Sequence, residues 1–165
     1  MTFKKIRFIT DSTADIPESL LEKHQITVVP VFVNYDGSSF ADDEQELHRE
    51  AYYNKQQNRR PCPTTAAMPP RLCEKAIMQV AEEGVHIFIV TVSAKLSGVY
   101  NAFRLAAQKL PSDRYTLIDS LSTTTGLGWP VVIGAETAER TGDVQQVIDA
   151  ITRVRDATRV YAALG

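Results

Sequence analysis

The sequence lacks the features that mark membrane-spanning, secreted or metal-binding proteins. No apolar run approaches the length that spans a bilayer, and the first residues lack the apolar core of a signal peptide. Cysteines are scarce: Cys62 and Cys73 are the two in 165 residues, and neither has a Cys or His neighbour at metal-ligand spacing. We therefore expect a cytoplasmic protein with two free thiols and no metal site.

An excess of charge of either sign is also missing. Eighteen Lys and Arg side chains are balanced by twenty Asp and Glu side chains, and like charges form no block. This balance gives no indication of a nucleic-acid or membrane surface. The length and the apolar fraction of 44% suit one domain with a full core.

Common signatures of catalytic sites are absent as well. The sequence contains no G-x-x-x-x-G-K-[ST], G-x-G-x-x-G or G-x-S-x-G segment. No histidine lies in the hydroxyl-rich loops, so no obvious base activates a serine there. We therefore assign no catalytic residue.

What the chain does contain is an alternation of strand-like and helix-like segments. The predicted strands cover 6–10, 26–35, 87–90, 115–118 and 158–164. The predicted helices cover 17–23, 44–55, 70–83, 103–110, 129–140 and 143–156. This order predicts an α/β fold: a mainly parallel sheet with helices on both faces.

Local signals predict where elements start, stop or break. Pro30 either interrupts its strand or places it near an edge, because proline has no N–H to donate. Asp36-Gly37 predicts a turn into a short return strand. Asp15 and Asp143 are candidate N-caps, Gly84 is a candidate helix stop, and Trp129-Pro130 is expected in the first turn of its helix.

Polar clusters follow three of the predicted strands. They are Asp11–Thr13, Ser93–Gly98 and Asp119–Gly128, and a fourth segment, Thr64-Thr65, precedes a helix. Parallel strands bring such clusters to one sheet edge, where ligands bind in α/β proteins. Free backbone N–H groups before a helix favour an anion. Taken singly, each hydroxyl is also a candidate helix cap. Asp11 and Asp119 are each either a cap or a Mg²⁺ ligand.

Four segments together resemble the DegV family. Ile9–Pro17 is similar to that family's opening signature, and Thr64-Thr65 before a proline-led helix resembles its Thr-Ser-Gln-Pro segment. Ser93–Tyr100 is similar to its Ser-Ser-Lys-Leu-Ser-Gly-Thr-Tyr loop, and Asp119–Gly128 to its Asp-Ser-Leu-Ser…Gly-Leu-Gly segment. The four motifs occur in the family's order and extend over essentially the whole chain.

The resemblance implies binding rather than catalysis. Members of the family bind one long-chain fatty acid between two α/β domains. In bacteria with a fatty acid kinase they present its carboxylate to that kinase, which makes an acyl phosphate. Residues 1–165 match the N-terminal, lipid-binding domain, and we expect the second domain to be absent from this chain. The implied ligand is the fatty acid, and no cofactor is implied.

The resemblance also assigns ligand-binding residues by position. Thr64 and Ser93 correspond to residues that hold the carboxylate. With their polar neighbours, the candidate ligand-binding set is Thr64, Ser93, Ser97, Gly98, Ser12 and Thr65. The chain departs from the family's pattern at Ala94 and at Ala66–Met68, where side-chain donors are usual.

An acyl chain needs an apolar tunnel in addition to donors for its head group. The candidate tunnel residues, each also a candidate for ordinary core, are Met68, Leu72, Leu96, Leu127 and Trp129. Two other functions stay open. One is an enzyme or sensor acting on a phosphorylated small molecule, with Ser93–Gly98 cradling the phosphate. The other is a scaffold for a partner protein.

Overall fold

A computed structural model describes residues 5–43, 45–56 and 61–161. Its strands are β1 (Lys5–Asp11), β2 (Thr27–Val29), β3 (Phe32–Tyr35), β4 (Ser38–Ala41), β5 (Thr64–Ala66), β6 (Val85–Thr91) and β7 (Tyr115–Asp119). Its helices are α1 (Glu18–His24), α2 (Arg49–Gln56), α3 (Pro70–Val80), α4 (Val99–Ala107), α5 (Thr125–Thr141) and α6 (Val144–Ala157). A 3₁₀ turn, Ser12–Ala14, follows β1. None of the helices in these ranges is long and apolar enough to cross a membrane.

The main sheet has four parallel strands in the order β2-β1-β6-β7. Every residue of β6 is buried, as expected for a parallel strand that is covered on both faces. β1 pairs with β6 from Lys5 opposite Val85 to Ile9 opposite Ile89. The predicted α/β fold with a parallel sheet is confirmed.

Helices cover both faces of this sheet, as predicted. α5 packs on α6 and lies over β1, whereas α3 packs on α4 and lies over β2. Two side chains of β1 show which helices lie on which face. Phe8 faces α5, since a Cβ on Gly134 would stand 3.0 Å from its ring. Asp11 is three residues further along the strand, so it lies on the other face, near Cys73 of α3. Burial, together with the nearby charge of Asp11, raises the pKa of the Cys73 thiol to about 12.

A second, smaller sheet is antiparallel, with β3 between β4 and β5. Pro30 separates β2 from β3, so the predicted strand over 26–35 is broken there and its halves join different sheets. Asp36 and Gly37 have φ angles of 51° and 74°, the conformation of a two-residue hairpin turn. Thr64 and Thr65 precede α3 as predicted, and they also form β5 against β3, a strand that was not predicted.

The end of α3 differs from the prediction, and a distant side chain bonds the turn that follows it. The helix ends at Val80, three residues early, and the Arg114 guanidinium donates to the carbonyl oxygens of Glu82 and Val85. These bonds hold the following residues in a turn. Gly84, predicted as the helix stop, lies in that turn with a φ of 78°.

Helix starts differ too. The predicted start of α2, Glu44, lies outside the described residues, and the helix begins at Arg49. Asp15 has a φ of 48° and is not an N-cap; the residue before α1 is Pro17. Pro130 lies in the second turn of α5 rather than the first, because that helix already begins at Thr125.

The chain around α6 shows one agreement and one correction. Asp143 Oδ1 accepts the Gln146 N–H at 2.8 Å, which confirms the predicted cap of α6. Residues 158–161, predicted to start a last strand, are not in a strand, and residues 162–164 lie outside the described ranges. Val160 packs instead against the start of α5, where a Cβ on Gly126 would stand 2.6 Å from its methyl group.

Gly128 marks the closest approach of α5 to the 3₁₀ turn, since a Cβ there would stand 2.4 Å from the Ala14 backbone oxygen. We expect Gly128→Ala to lower the free energy of unfolding by about 1–3 kcal/mol, because the backbone cannot rotate away from the added methyl. The matched control is Gly98→Ala, whose Cβ would meet Ala67 at an ordinary 3.7 Å. Urea unfolding measures both variants, and equal losses would contradict the close packing.

Candidate ligand-binding site

The polar segments predicted at the strand ends meet at one edge of the main sheet. β1, β6 and β7 are parallel neighbours, so their carboxyl ends lie side by side. The Val92 N–H donates to Asp11 Oδ2 at 2.8 Å, and the Ser93 N–H donates to the Ser122 carbonyl oxygen at 2.8 Å. The loop after β6 is therefore bonded to the segments on both of its sides.

Asp11 is a buried carboxylate at this edge. Its Oδ1 accepts the backbone N–H of Thr13 at 3.1 Å and the Thr13 hydroxyl at 2.5 Å. Burial raises the pKa of Asp11 above its ordinary 3.8, and the hydrogen bonds from Thr13 and Val92 offset only part of that rise. Of the two roles considered for Asp11, the structure shows the capping one.

Asp119 holds the other side of the same loop. Both of its carboxylate oxygens lie 3.3 Å from the Ala94 nitrogen, and Oδ1 accepts the Leu121 N–H at 2.9 Å. This side chain, too, caps main-chain N–H groups. Across the described ranges, no three His, Cys, Asp or Glu side chains come close enough together to hold a metal ion.

The loop's backbone N–H groups are not free for an anion, so that expectation is wrong for residues 92–97. The Lys95 N–H donates to Ser93 Oγ at 3.3 Å, and the N–H groups of Leu96 and Ser97 donate to the Ser93 carbonyl oxygen at 2.9 and 3.1 Å. With residues 92–94 held as described above, six consecutive N–H groups donate within the protein. This part of the loop offers a ligand its side chains.

Of the two hydroxyl side chains in residues 92–97, that of Ser93 is the more enclosed, with 4% of its surface exposed. Its oxygen accepts the Lys95 N–H, so its own proton remains to be donated. Ser97 Oγ lies 3.4 Å from the Val99 nitrogen and accepts its N–H at the start of α4. Gly98 is the exposed N-cap residue of that helix.

Thr64 and Thr65 are both exposed on β5. The chain that follows them passes beside the Ser93 loop, since a Cβ on Gly98 would stand 3.7 Å from that of Ala67. The fourth polar segment therefore leads to the same region as the other three.

Ser12 has a contact that the sequence did not indicate. It is buried, and its hydroxyl oxygen accepts the Val31 N–H at 3.0 Å. This bond holds the chain just after Pro30, where it passes from the main sheet to the small one. This bond uses one of the two acceptor lone pairs of the hydroxyl, so the Ser12 proton and the second lone pair remain available.

The apolar candidates fall into two groups. Met68 and Leu127 are buried core residues, and Leu72 packs against the core. Leu96 and Trp129 are exposed, at 66% and 56%. Trp129 lines an apolar cavity of about 170 Å³ between the 3₁₀ turn, α1 and α5. The ordinary-core interpretation therefore holds for the first group.

A groove of about 660 Å³ beside the loop was not predicted from the sequence. Its lining combines exposed leucines, Leu96 and Leu121, with three charged residues, Arg155, Asp156 and Arg159. The two arginines lie at the end of α6 and just beyond it, outside every polar cluster. No local signal in the sequence places them at this edge.

A sequence model of the DegV family of uncharacterised proteins matches residues 5–165. The chain belongs to the DegV family. A DegV domain-containing protein of Clostridium acetobutylicum is 30% identical to it over 158 residues, and one of Clostridium perfringens is 32% identical over 135 residues.

Solved DegV structures share the fold. A DegV family protein from Thermus thermophilus, described as binding fatty acid, superposes with a TM-score of 0.83 at 30% identity over 92% of this chain. A protein from Thermotoga maritima, whose structure is described as revealing a fatty acid binding function, has a TM-score of 0.80 at 25% identity over 90% of this chain.

The chain spans about half the length of the DegV proteins it matches. The alignments cover 93% and 82% of this chain but 56% and 48% of the two clostridial relatives. The two solved structures are covered over 53% and 54% of their length.

The raised pKa of Asp11 gives a prediction for stability against pH. Because the folded-state pKa lies above the unfolded value of 3.8, the stability linked to this group is fully present below about pH 4 and is lost as pH rises through the folded pKa. We expect the unfolding free energy of the wild type minus that of Asp11→Asn to fall between about pH 4 and about pH 7. Urea unfolding at both pH values measures it, and a constant or rising difference would contradict the raised pKa.

Proposed function

We propose that this chain binds a long-chain fatty acid without catalysing a reaction on it, and that Ser93 and Thr64 hold its carboxylate. The observation that carries the proposal is the buried Ser93 hydroxyl, fixed where three strand ends meet and left with a proton to donate. The fatty-acid-binding DegV protein from Thermus thermophilus, 30% identical, supports the same class of ligand.

The internal use of the loop amides favours a carboxylate over a phosphate. A phosphate-cradling loop presents several backbone N–H groups to its ligand, and here residues 92–97 use theirs within the protein. A carboxylate needs fewer donors, and a small number of hydroxyls can supply them. The alternative of an enzyme or sensor for a phosphorylated small molecule therefore has less support.

The groove beside the loop suits an amphiphilic anion. Leu96 and Leu121 offer apolar surface and Arg159 offers positive charge, whereas Arg155 is paired at 2.8 Å with Asp156, which lines the same groove. Each buried methylene of an acyl chain contributes about 0.8 kcal/mol, so the apolar contacts supply most of the affinity. The hydroxyls then select the head group, because a carboxylate that loses water on binding needs hydrogen-bond donors in its place.

A carrier role follows from the same arrangement. Thr64, Thr65 and Lys95 are exposed, so a carboxylate held among them lies near the surface, within reach of a second protein. We propose a cytoplasmic fatty acid kinase as that partner. Because the relatives are about twice as long, we also propose that a further domain completes the wall around the acyl chain.

The ligand itself is tested by organic extraction of the purified chain followed by mass spectrometry. We expect one fatty acid per protein molecule after expression in bacteria. A chain that carries no fatty acid, and takes up none when palmitate is added, would contradict the proposal.

The head-group contacts are tested by Ser93→Ala and Thr64→Ala. We expect each to weaken palmitate binding about tenfold, which is the worth of one hydrogen bond to a charged group, about 1.4 kcal/mol. The matched control is Ser112→Ala, because Ser112 is exposed and precedes β7, at the opposite edge of the sheet. Titration with palmitate measures all three, and unchanged affinity in Ser93→Ala would rule out its role as a ligand.

A further inference from the structure

Ser93 is flanked by two amides, and each is held by a carboxylate from a neighbouring strand. Asp11, at the end of β1, accepts the Val92 N–H at 2.8 Å. Asp119, at the end of β7, lies 3.3 Å from the Ala94 nitrogen through both oxygens. Since β1 and β7 border β6 on opposite sides, the position of Ser93 is set from both sides at once.

A hydroxyl whose position is fixed in advance recognises an acid head group more strongly, because ordering it on binding would cost affinity. We propose that Asp11 and Asp119 are positioning residues that hold Ser93 so that the site selects a carboxylic acid over an uncharged head group. The proposal rests on the proposed function of fatty acid binding.

The hydrogen bonds of these carboxylates and their charges act in opposite directions. Their negative charge repels a ligand carboxylate, whereas their bonds to the loop amides favour its recognition. At position 119 the two effects are separable. Asparagine keeps an oxygen that accepts from Ala94 and Leu121 but removes the charge, and alanine removes both.

The experiment compares palmitate with hexadecan-1-ol, which has the same chain length and no carboxylate. We expect Asp119→Ala to lower the preference for the acid about fivefold, and Asp119→Asn to retain most of it. If charge alone mattered, both variants would bind palmitate more tightly and by the same factor. That result, or equal loss of affinity for acid and alcohol in Asp119→Ala, would overturn the proposal.

A double-mutant cycle tests whether Asp119 acts through Ser93. If it does, Asp119→Ala adds little to the loss already caused by Ser93→Ala, so the two effects are strongly non-additive. Full additivity within about twofold would show that Asp119 does not position Ser93.

Asp11→Asn tests the buried one of the two positioning carboxylates. One of its two oxygens becomes an amide donor facing the N–H of Val92 or of Thr13, so we expect a lower preference for palmitate here as well. The control is Asp143→Ala, since Asp143 also accepts a main-chain N–H but at the start of α6, and its preference should stay at the wild-type value. If Asp11→Asn does not fold, the two variants at Asp119 decide the question.

The outcomes separate this proposal from the one it rests on. A wild-type chain that binds neither palmitate nor the alcohol fails the proposed function. A wild-type chain that prefers palmitate, with the same preference in Asp119→Ala and Asp11→Asn, keeps the function and overturns the positioning role.

Discussion

The hydrogen bond from the Val92 N–H to the buried Asp11 carboxylate is the contact on which this edge of the molecule depends. Burying a carboxylate is unfavourable unless its oxygens are hydrogen-bonded, and Thr13 supplies two further donors. The adjacent Ser12 then holds Val31, just past the Pro30 break. One short segment after β1 therefore fixes the loop after β6 and the crossing into the small sheet.

A loop between a strand and a helix can meet an anion with its backbone or with its side chains. Here the backbone is committed to the protein: Asp11, Asp119 and Ser93 itself accept most of the N–H groups of residues 92–97. The same bonds that make the loop rigid take away its amide donors. Under the proposed function, recognition of the carboxylate then depends on hydroxyls, which are fewer and more selective, and apolar surface nearby supplies affinity.

The predictable parts of the fold are those whose cause is local in sequence. The apolar run of β6, the break at Pro30 and the Asp143 cap all follow from adjacent residues, and the structure shows each of them. The turn after α3 was less predictable, because Arg114, about thirty residues away, donates to two of its carbonyl oxygens. β5 was missed for a similar reason, since Thr64 and Thr65 become a strand only against β3.

The site shows the same division. Polar clusters at strand ends correctly predicted which segments meet, because parallel pairing fixes that geometry. The acceptor that each N–H group bonds could not be predicted from the sequence, since it depends on which side chain of one strand faces which amide of the next. Arg155 and Arg159 show the limit most clearly, because the packing of α6 and the path of the chain after it bring them beside Leu96.

The Asp11–Val92 bond joins residues 81 positions apart, and β1 pairs with β6 over a similar separation. Contacts of such high contact order form late and slowly, because a long loop must close before they form. The β3–β4 hairpin, by contrast, closes over two residues. The candidate site therefore forms only when the main sheet does, and a ligand bound there would stabilise the complete sheet against global unfolding.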